Sequence, residues 1–389
     1  MPFIEQLLNG ENVEWKKLGE VCKVLRGSRL TKKELVETGK YPVFHGGLIP
    51  LGYYDKFNRR ANQIMVINTG SVGEVVWSDI DFWSSDGTFV VETGKQIDDR
   101  FLYHFLKTKE SELKQKKREG GVPTIERGVI EKLLIPLPPL SVQHRIVEIL
   151  DKFTALEAEL EAELDCRKRQ YEYYRNQLLS FDILNKGRQK LNDVNIMTLG
   201  DLGTFVRGSG LQKKDFTPTG VGCIHYGQIY TYYGTYAKKT KSFVSQEFAL
   251  KARKAKHGDL IIATTSENDE DVCKAVAWLG DEDIAVSSDA CFYAHTMNPK
   301  YIAYYFQTEL FQSQKRKFIT GTKVRRVNAK DLAKIKIPLP SLSVQREIVE
   351  ILDKFDTLCN SISEGLPKEI ELRRKQYEYY RNQLLTFAQ

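Results

Sequence analysis

No two cysteines in this chain stand at C-x-x-C spacing, and the six that exist (Cys22, Cys166, Cys223, Cys273, Cys291, Cys359) form neither a zinc pattern nor a disulfide framework. A reducing cytoplasm suits them. No run approaches 18 apolar residues, and the start, MPFIEQLLNGENVEWKKL, lacks the basic stretch and apolar core of an export signal. A soluble, cytoplasmic protein with no membrane partner is expected.

Enzyme motifs are missing too. There is no G-x-x-x-x-G-K-[ST] loop; Thr38-Gly39-Lys40 and Thr93-Gly94-Lys95 copy only its tail and read as turns. Neither an N-P-P-F nor a D-P-P-Y tetrapeptide occurs, which argues against adenine methyl transfer. The Pro-Asp dipeptide that opens the metal motif of a common nuclease class is absent as well. No catalytic residue, metal site or bound cofactor is therefore expected. His45 and His225 recur at matching places, but neither has companions at metal-ligand spacing.

What is present is duplication. The stretch IPLPPLSVQHRIVEILDKF…QYEYYRNQLLSF (135–181) returns as IPLPSLSVQREIVEILDKF…QYEYYRNQLLTF (337–387), identical at both ends and divergent between. In the first copy Ile146, Leu150, Phe153, Leu156, Leu160, Leu164, Tyr171, Tyr174 and Leu178 fall at helical spacing with a coiled-coil bias. Pro136, Pro138 and Pro139 keep the entry extended, and Ser141 is a fair N-cap, so a helix beginning near residue 141 is expected. At ~1.5 Å per residue it is a rod of roughly 60 Å with one apolar stripe, and its best partner is the second copy. In that copy Gly365 and Pro367 predict a kink or break.

The regions before the rods repeat more faintly. WKKLGEVCKVLRGSRLTKKEL (15–35) matches IMTLGDLGTFVRGSGLQKKDF (196–216), and WSSDGTFVV (83–91) matches VSSDACFYA (286–294). Short β-rich segments alternate with Gly, Asn, Asp and Ser, and helices are expected over 98–119 and 298–318. The expected fold is α+β: two mixed α/β regions on mostly antiparallel sheets, 1–134 and 186–336, each followed by a long helix, 135–185 and 337–389. The two helices form an antiparallel coiled coil with pseudo-twofold symmetry.

A net charge of +7, from 58 Lys and Arg against 51 acidic residues, points to a polyanionic partner. Lys116, Lys117 and Arg118 precede one Gly-containing loop, 120–128. Lys315, Arg316 and Lys317 precede another, 320–328, which itself carries Lys323, Arg325 and Arg326. A second recurring set is Arg26, Ser28, Arg29, Lys32 and Lys33, with Arg207, Ser209, Lys213 and Lys214; His45 and His225 join these candidates. Lys and Arg beside flexible loops suit a duplex backbone, and Arg reads guanine bidentately. On the rods Tyr173, Arg175, Tyr379 and Arg381 lie off the packing stripe, and their identity in both copies points to two equal external partners.

From Pro136 to Ile146, and again from Pro338 to Ile348, the chain carries the pattern Pro-Leu-Pro-x-Leu-x-x-Gln-x-x-Ile. With the duplicated layout, which spans essentially the whole chain, it closely resembles the specificity subunits of Type I restriction-modification systems. The resemblance implies two target-recognition domains that each read half of a bipartite DNA site. It also implies assembly with two modification subunits, which methylate adenine from S-adenosylmethionine, and two restriction subunits that use ATP and Mg. Those cofactors are then expected on the partner subunits. A stand-alone DNA-binding regulator shares every feature except the duplicated external rod surface.

Overall fold

The computed structural model describes residues 3–118, 121–181 and 195–388. The expected boundary at 185/186, Glu119 at the end of one expected helix and Gly120 at the start of the loop after it lie outside the described residues. The chain packs as two compact units, one made of residues 1–161 with 369–389 and the other of residues 162–368.

In the first unit the strand Glu14–Lys17 pairs antiparallel with Leu134–Leu137, Trp15 opposite Pro136, so the globular region is closed where the rod begins. Two strands suffice there, since proline cannot donate to a third. The central sheet is antiparallel, in the order Cys22–Arg26, Thr88–Thr93, Gln63–Ile67, Val75–Ser78. Alternation divides its side chains: Ile64 and Val66 face a core shared with the helices, while Met65 and Val90 face Phe44 and Phe82. A three-stranded sheet, Gly52–Tyr54, Tyr41–Phe44 and Trp83–Ser84, stands on that second side, its last pair parallel.

The second unit repeats the plan with more material. Asn195–Thr198 pairs with Lys336–Leu339 in the same register, Ile196 opposite Pro338. The sheet Gly203–Arg207, Ala290–His295, Leu260–Ala263, Ala275–Trp278, Tyr236–Ala237 again splits by alternation, with Leu260 and Ile262 in one core and Ile261 and Ala263 in another. A second five-stranded sheet replaces the small three-stranded one. The mostly antiparallel expectation holds in both units.

The helices expected over 98–119 and 298–318 are each interrupted. The first is Asp99–Thr108 followed by Glu110–Gln115; the second is Pro299–Tyr305 followed by Glu309–Lys315. A threonine marks both breaks. The hydroxyls of Thr108 and Thr308 donate to the carbonyls of Phe105 and Tyr305, 2.7 Å in each case, and Thr308 then accepts from Phe311 N to start the next helix.

The first rod is one helix, Leu140–Leu178, as its period predicts. The second breaks into Leu342–Asn360 and Leu366–Leu385. Gly365 sits at φ +89°, and a Cβ there would come within 2.4 Å of Thr357 O, so glycine is required. Pro367 then falls in the first turn, where a missing N–H is harmless. The residues by which the second copy exceeds the first are thus taken up by a turn and do not lengthen the helix.

Within each unit the helical segments run antiparallel. In the first, Phe153 stacks on Tyr380 at 5.2 Å, and one turn later Glu157 and Glu161 both hold Arg374. In the second, Tyr171 and Tyr174 stack on Phe355, and the Tyr171 hydroxyl reaches Asp356.

Two polar clamps fix each globular region to the rod that follows it. Gln143 is fully buried: its carbonyl accepts from Asp98 N at 2.8 Å and its amide donates to the carbonyls of Pro138 and Gln96. Gln345 repeats this with Asn298 N and Pro340 O. These bonds explain the glutamine of the repeated entry pattern, because a buried amide is tolerated only when both its ends are satisfied. Two turns on, Asp151 takes Arg100 and His104, as Asp353 takes Lys300 and Tyr304.

His104 is fully buried, donating from Nε2 to Asp151 at 2.7 Å and accepting at Nδ1 from the Tyr377 hydroxyl at 3.0 Å. Burial holds it below its ordinary value of 6.5 and outweighs the pull of Asp151. Burial also opposes the Asp151 charge, yet the bonds from His104 and Arg100 bring that carboxyl down to about 2. Below about pH 6.5 the unfolded chain therefore takes up a proton at residue 104 that the folded chain refuses, and stability falls as pH is lowered through that range. The Asp151 contribution is present above its unfolded value and is lost only as pH falls towards 2. His104→Gln keeps both hydrogen bonds without titrating. It is expected to flatten the dependence of unfolding free energy on pH between 7.5 and 5.5 by up to about 1.4 kcal/mol per pH unit. An unchanged slope in denaturant titrations would contradict this assignment.

Candidate nucleic-acid interface and partner surface

The Arg-Gly-Ser and Ser-Ser-Asp stretches, distant in sequence, meet in both units. A Cβ on Gly27 would fall 2.1 Å from Ser85 O, and one on Gly208 would fall 2.2 Å from Ser287 O, so only glycine allows the approach. Ser28 N donates to Ser84 O and Ser209 N to Val286 O. Arg26 and Arg207 are exposed, and each ties its Nε to a carbonyl of the facing turn, Asp86 at 3.5 Å and Ser288 at 3.0 Å. The stems are fixed from behind.

The two histidines border the same turns but differ in their contacts. His45 Nδ1 lies 3.3 Å from Asp86, whereas His225 caps the helix Tyr226–Thr231 by accepting from Gly227 N. Burial, and then the nearby Lys213, lower the His225 pKa.

The Gly-containing loops close on the same edge. Arg118 bridges Thr124, and Thr320 bridges Arg326, six residues apart in both. Ile125 N then donates to Asn68 O and Val327 N to Thr264 O, while Asn68 N and Thr264 N donate to Gly87 O and Asp289 O of the Ser-Ser-Asp turns. Both recurring basic sets therefore flank the end of one central strand in each unit. In the second unit they enclose a cleft of about 290 Å³ lined by Arg207, Thr264, Asp289, Thr320, Arg326 and Asn328, among others.

The candidate cations divide by environment. Arg29, Lys32, Lys33, Lys213, Lys214, Lys317, Lys323 and Arg326 are exposed, with no ion pair among the described residues. Lys117 is exposed too. Lys116 pairs with Glu112, Arg118 with Glu126, Arg316 with Glu309 and Arg325 with Asp269; all but Arg325, about one-third exposed, are open surface pairs weak enough to exchange for phosphate. Lys315 requires a correction. It is fully buried, and its ammonium donates to the carbonyls of Asp269, Glu270 and Val272 at 2.7–3.0 Å, so it cannot meet a phosphate.

Sequence reasoning missed an exposed apolar tip beside His45, where Leu48 is 52% and Ile49 82% exposed. The only sequence signal was two glycines followed by apolar residues without alternation.

On the rods Tyr173 and Tyr379 are each 60% exposed and face outward as expected. Arg175 and Arg381 do not. Their guanidinium groups lie 5.1 and 5.4 Å from the rings of Tyr171 and Tyr377, and Arg175 also donates to Gln307. Cation–π attraction over the buried stripe draws them inward, so the expected outward surface reduces to the tyrosines.

No group of residues suited to holding a metal ion, and no helix long and apolar enough to cross a membrane, occurs among the described residues. The model of the Type I restriction modification DNA specificity domain matches twice, over residues 10–165 and 192–372. A type I restriction enzyme specificity subunit from Haemophilus influenzae is 31% identical, covering 99% of this chain and 98% of its own length. One from Escherichia coli is 32% identical over 100% and 97%. The crystal structure of a type I S subunit from M. genitalium shares the fold, with a TM-score of 0.59 at 19% identity over 98% of both chains. Two matched domains, and near-complete relatives above 30% identity, place the chain in the family of DNA specificity subunits of type I restriction-modification systems.

Proposed function

We propose that this chain reads a bipartite DNA target, one half-site per globular region, and docks two modification subunits and two restriction subunits in the cytoplasm. The observation that carries the reading is the same loop edge built twice, with glycines and backbone bonds kept and the exposed side chains changed. A common frame with different side chains is what two readers of different base sequences require. S-adenosylmethionine, ATP and Mg belong to the partner subunits, which supply methyl transfer, translocation and cleavage. The duplicated tyrosine surface supports a stoichiometry of two. The family match favours this over a stand-alone regulator.

Native mass spectrometry of the chain coexpressed with its modification subunit tests the docking. Two modification subunits per chain are expected, falling to one in Tyr173→Ala or Tyr379→Ala and to none in the double variant. Full occupancy in the double variant, or a wild-type complex with one modification subunit, would contradict it.

A further inference from the structure

Lys315 is the one lysine that is fully buried among the described residues; its ammonium donates to two carbonyls of one turn, those of Asp269 and Glu270, and to the carbonyl of Val272 just after it. That turn, 267–271, reads Glu-Asn-Asp-Glu-Asp and lies between Ser266 and Val272. Ser266 belongs to a two-stranded antiparallel ribbon, Thr265 opposite Arg326 and Ser266 opposite Arg325, so the acidic turn and the Gly-containing loop are two tips of one finger. Arg325 ties the tips together, donating to Asp269 at 2.8 Å and to Gly321 O at 2.6 Å. Asn268 closes the turn by accepting from Asp271 N.

A turn with four carboxylates is repelled by phosphates, yet it stands on an edge whose exposed cations, Lys317, Lys323 and Arg326, attract a duplex. Both facts hold together if Lys317 and Lys323 meet the backbone at the rim while Arg326 and the turn meet base edges, where exocyclic amino groups are donors that carboxylates accept from. A two-stranded ribbon also has the width that the major groove admits. Among the described residues the first unit has no such ribbon. Its corresponding strand end leads into a short turn joined to the Gly-containing loop by the single bridge Thr69 to Thr124.

We propose that the ribbon Thr265–Ser266 with Arg325–Arg326, together with the turn 267–271, is the base-reading finger of the second recognition domain, and that Lys315 is its positioning residue. The proposal rests on the DNA-reading function above and adds where one half-site is read. Arg326 supplies the guanine-type contact, and Glu267 and Glu270 accept from amino groups of cytosine or adenine. Lys315 holds the turn from beneath, so that the carboxylates keep a fixed height above the ribbon.

The test maps methylated adenines in cells making the modification subunit with wild-type chain, Lys315→Met or Arg326→Ala. Wild-type chain should yield one bipartite motif. In Lys315→Met one half-site is expected to lose about tenfold in discrimination at one or more base pairs, with the other half-site and the gap unchanged. Arg326→Ala, an exposed change that leaves the core intact, should relax the same half-site and so decides the matter if Lys315→Met fails to fold. Unchanged stringency in Arg326→Ala, or relaxation of different half-sites by the two variants, overturns the proposal. No chain-dependent methylation with wild-type chain would instead be a failure of the DNA-reading function itself.

Discussion

Residues 1–185 expressed alone are expected to purify as a dimer. The core of the first unit includes Leu384, Leu385 and Phe387, all at most 6% exposed, although they come from the far end of the chain. Phe387 packs on Phe101, and Trp15 donates to Ala388 O. Removing three such side chains costs roughly 2–5 kcal/mol each, comparable with the whole stability of a domain. A monomeric half is therefore unstable. The half-chain nevertheless carries the same decapeptide at 170–179, followed by Phe181, so Tyr171, Tyr174, Leu178 and Leu179 of a second copy can take the places of Tyr377, Tyr380, Leu384 and Leu385. Sedimentation equilibrium should give twice the monomer mass, and Leu178→Asp should abolish the dimer and the folded signal together. A well-folded monomeric half would refute the exchange.

Deleting residues 160–163 is expected to change the gap of the recognised site while leaving both half-sites intact. Residues 156–163 read LEAELEAE, a tetrapeptide repeat inside the continuous helix Leu140–Leu178. Four residues are close to one turn, so the deletion shortens the helix by ~6 Å and rotates its face by only about 40°. Asp165 then slides into the place of Glu161, and Arg374 keeps two carboxylate partners. With a base-pair step of about 3.4 Å per strand, the preferred gap should shrink by one or two base pairs. Methylation mapping reads the result directly; an unchanged gap, or altered half-site bases, would remove the helix from that role.

What the sequence made legible was local or repeated. The helical period of the first rod, the break at Gly365 and Pro367 and the antiparallel sheets follow from spacing and from the chemistry of single residues. The fate of charged side chains did not, because it depends on partners far along the chain. Lys315 sits in a Lys-Arg-Lys run that reads as solvated, and only the turn near Asp269 and Glu270 shows why the first of the three is buried. Arg175 and Arg381 lie off the apolar stripe and so read as outward from the sequence, but the rings of Tyr171 and Tyr377 lie within reach of a long flexible side chain. Gln143 and Gln345 were visible as letters of a repeated pattern. Their meaning as clamps rests on Asp98 and Asn298, each more than 40 residues away.

The claim that two independent readers share one frame is tested most directly by domain exchange. Residues 195–336 are replaced by the corresponding region of a relative with a different methylation motif, and methylated adenines are mapped in cells making the modification subunit. The account predicts a new bipartite motif in which one half-site comes from each parent. A motif that is lost, or changed in both halves, would contradict it.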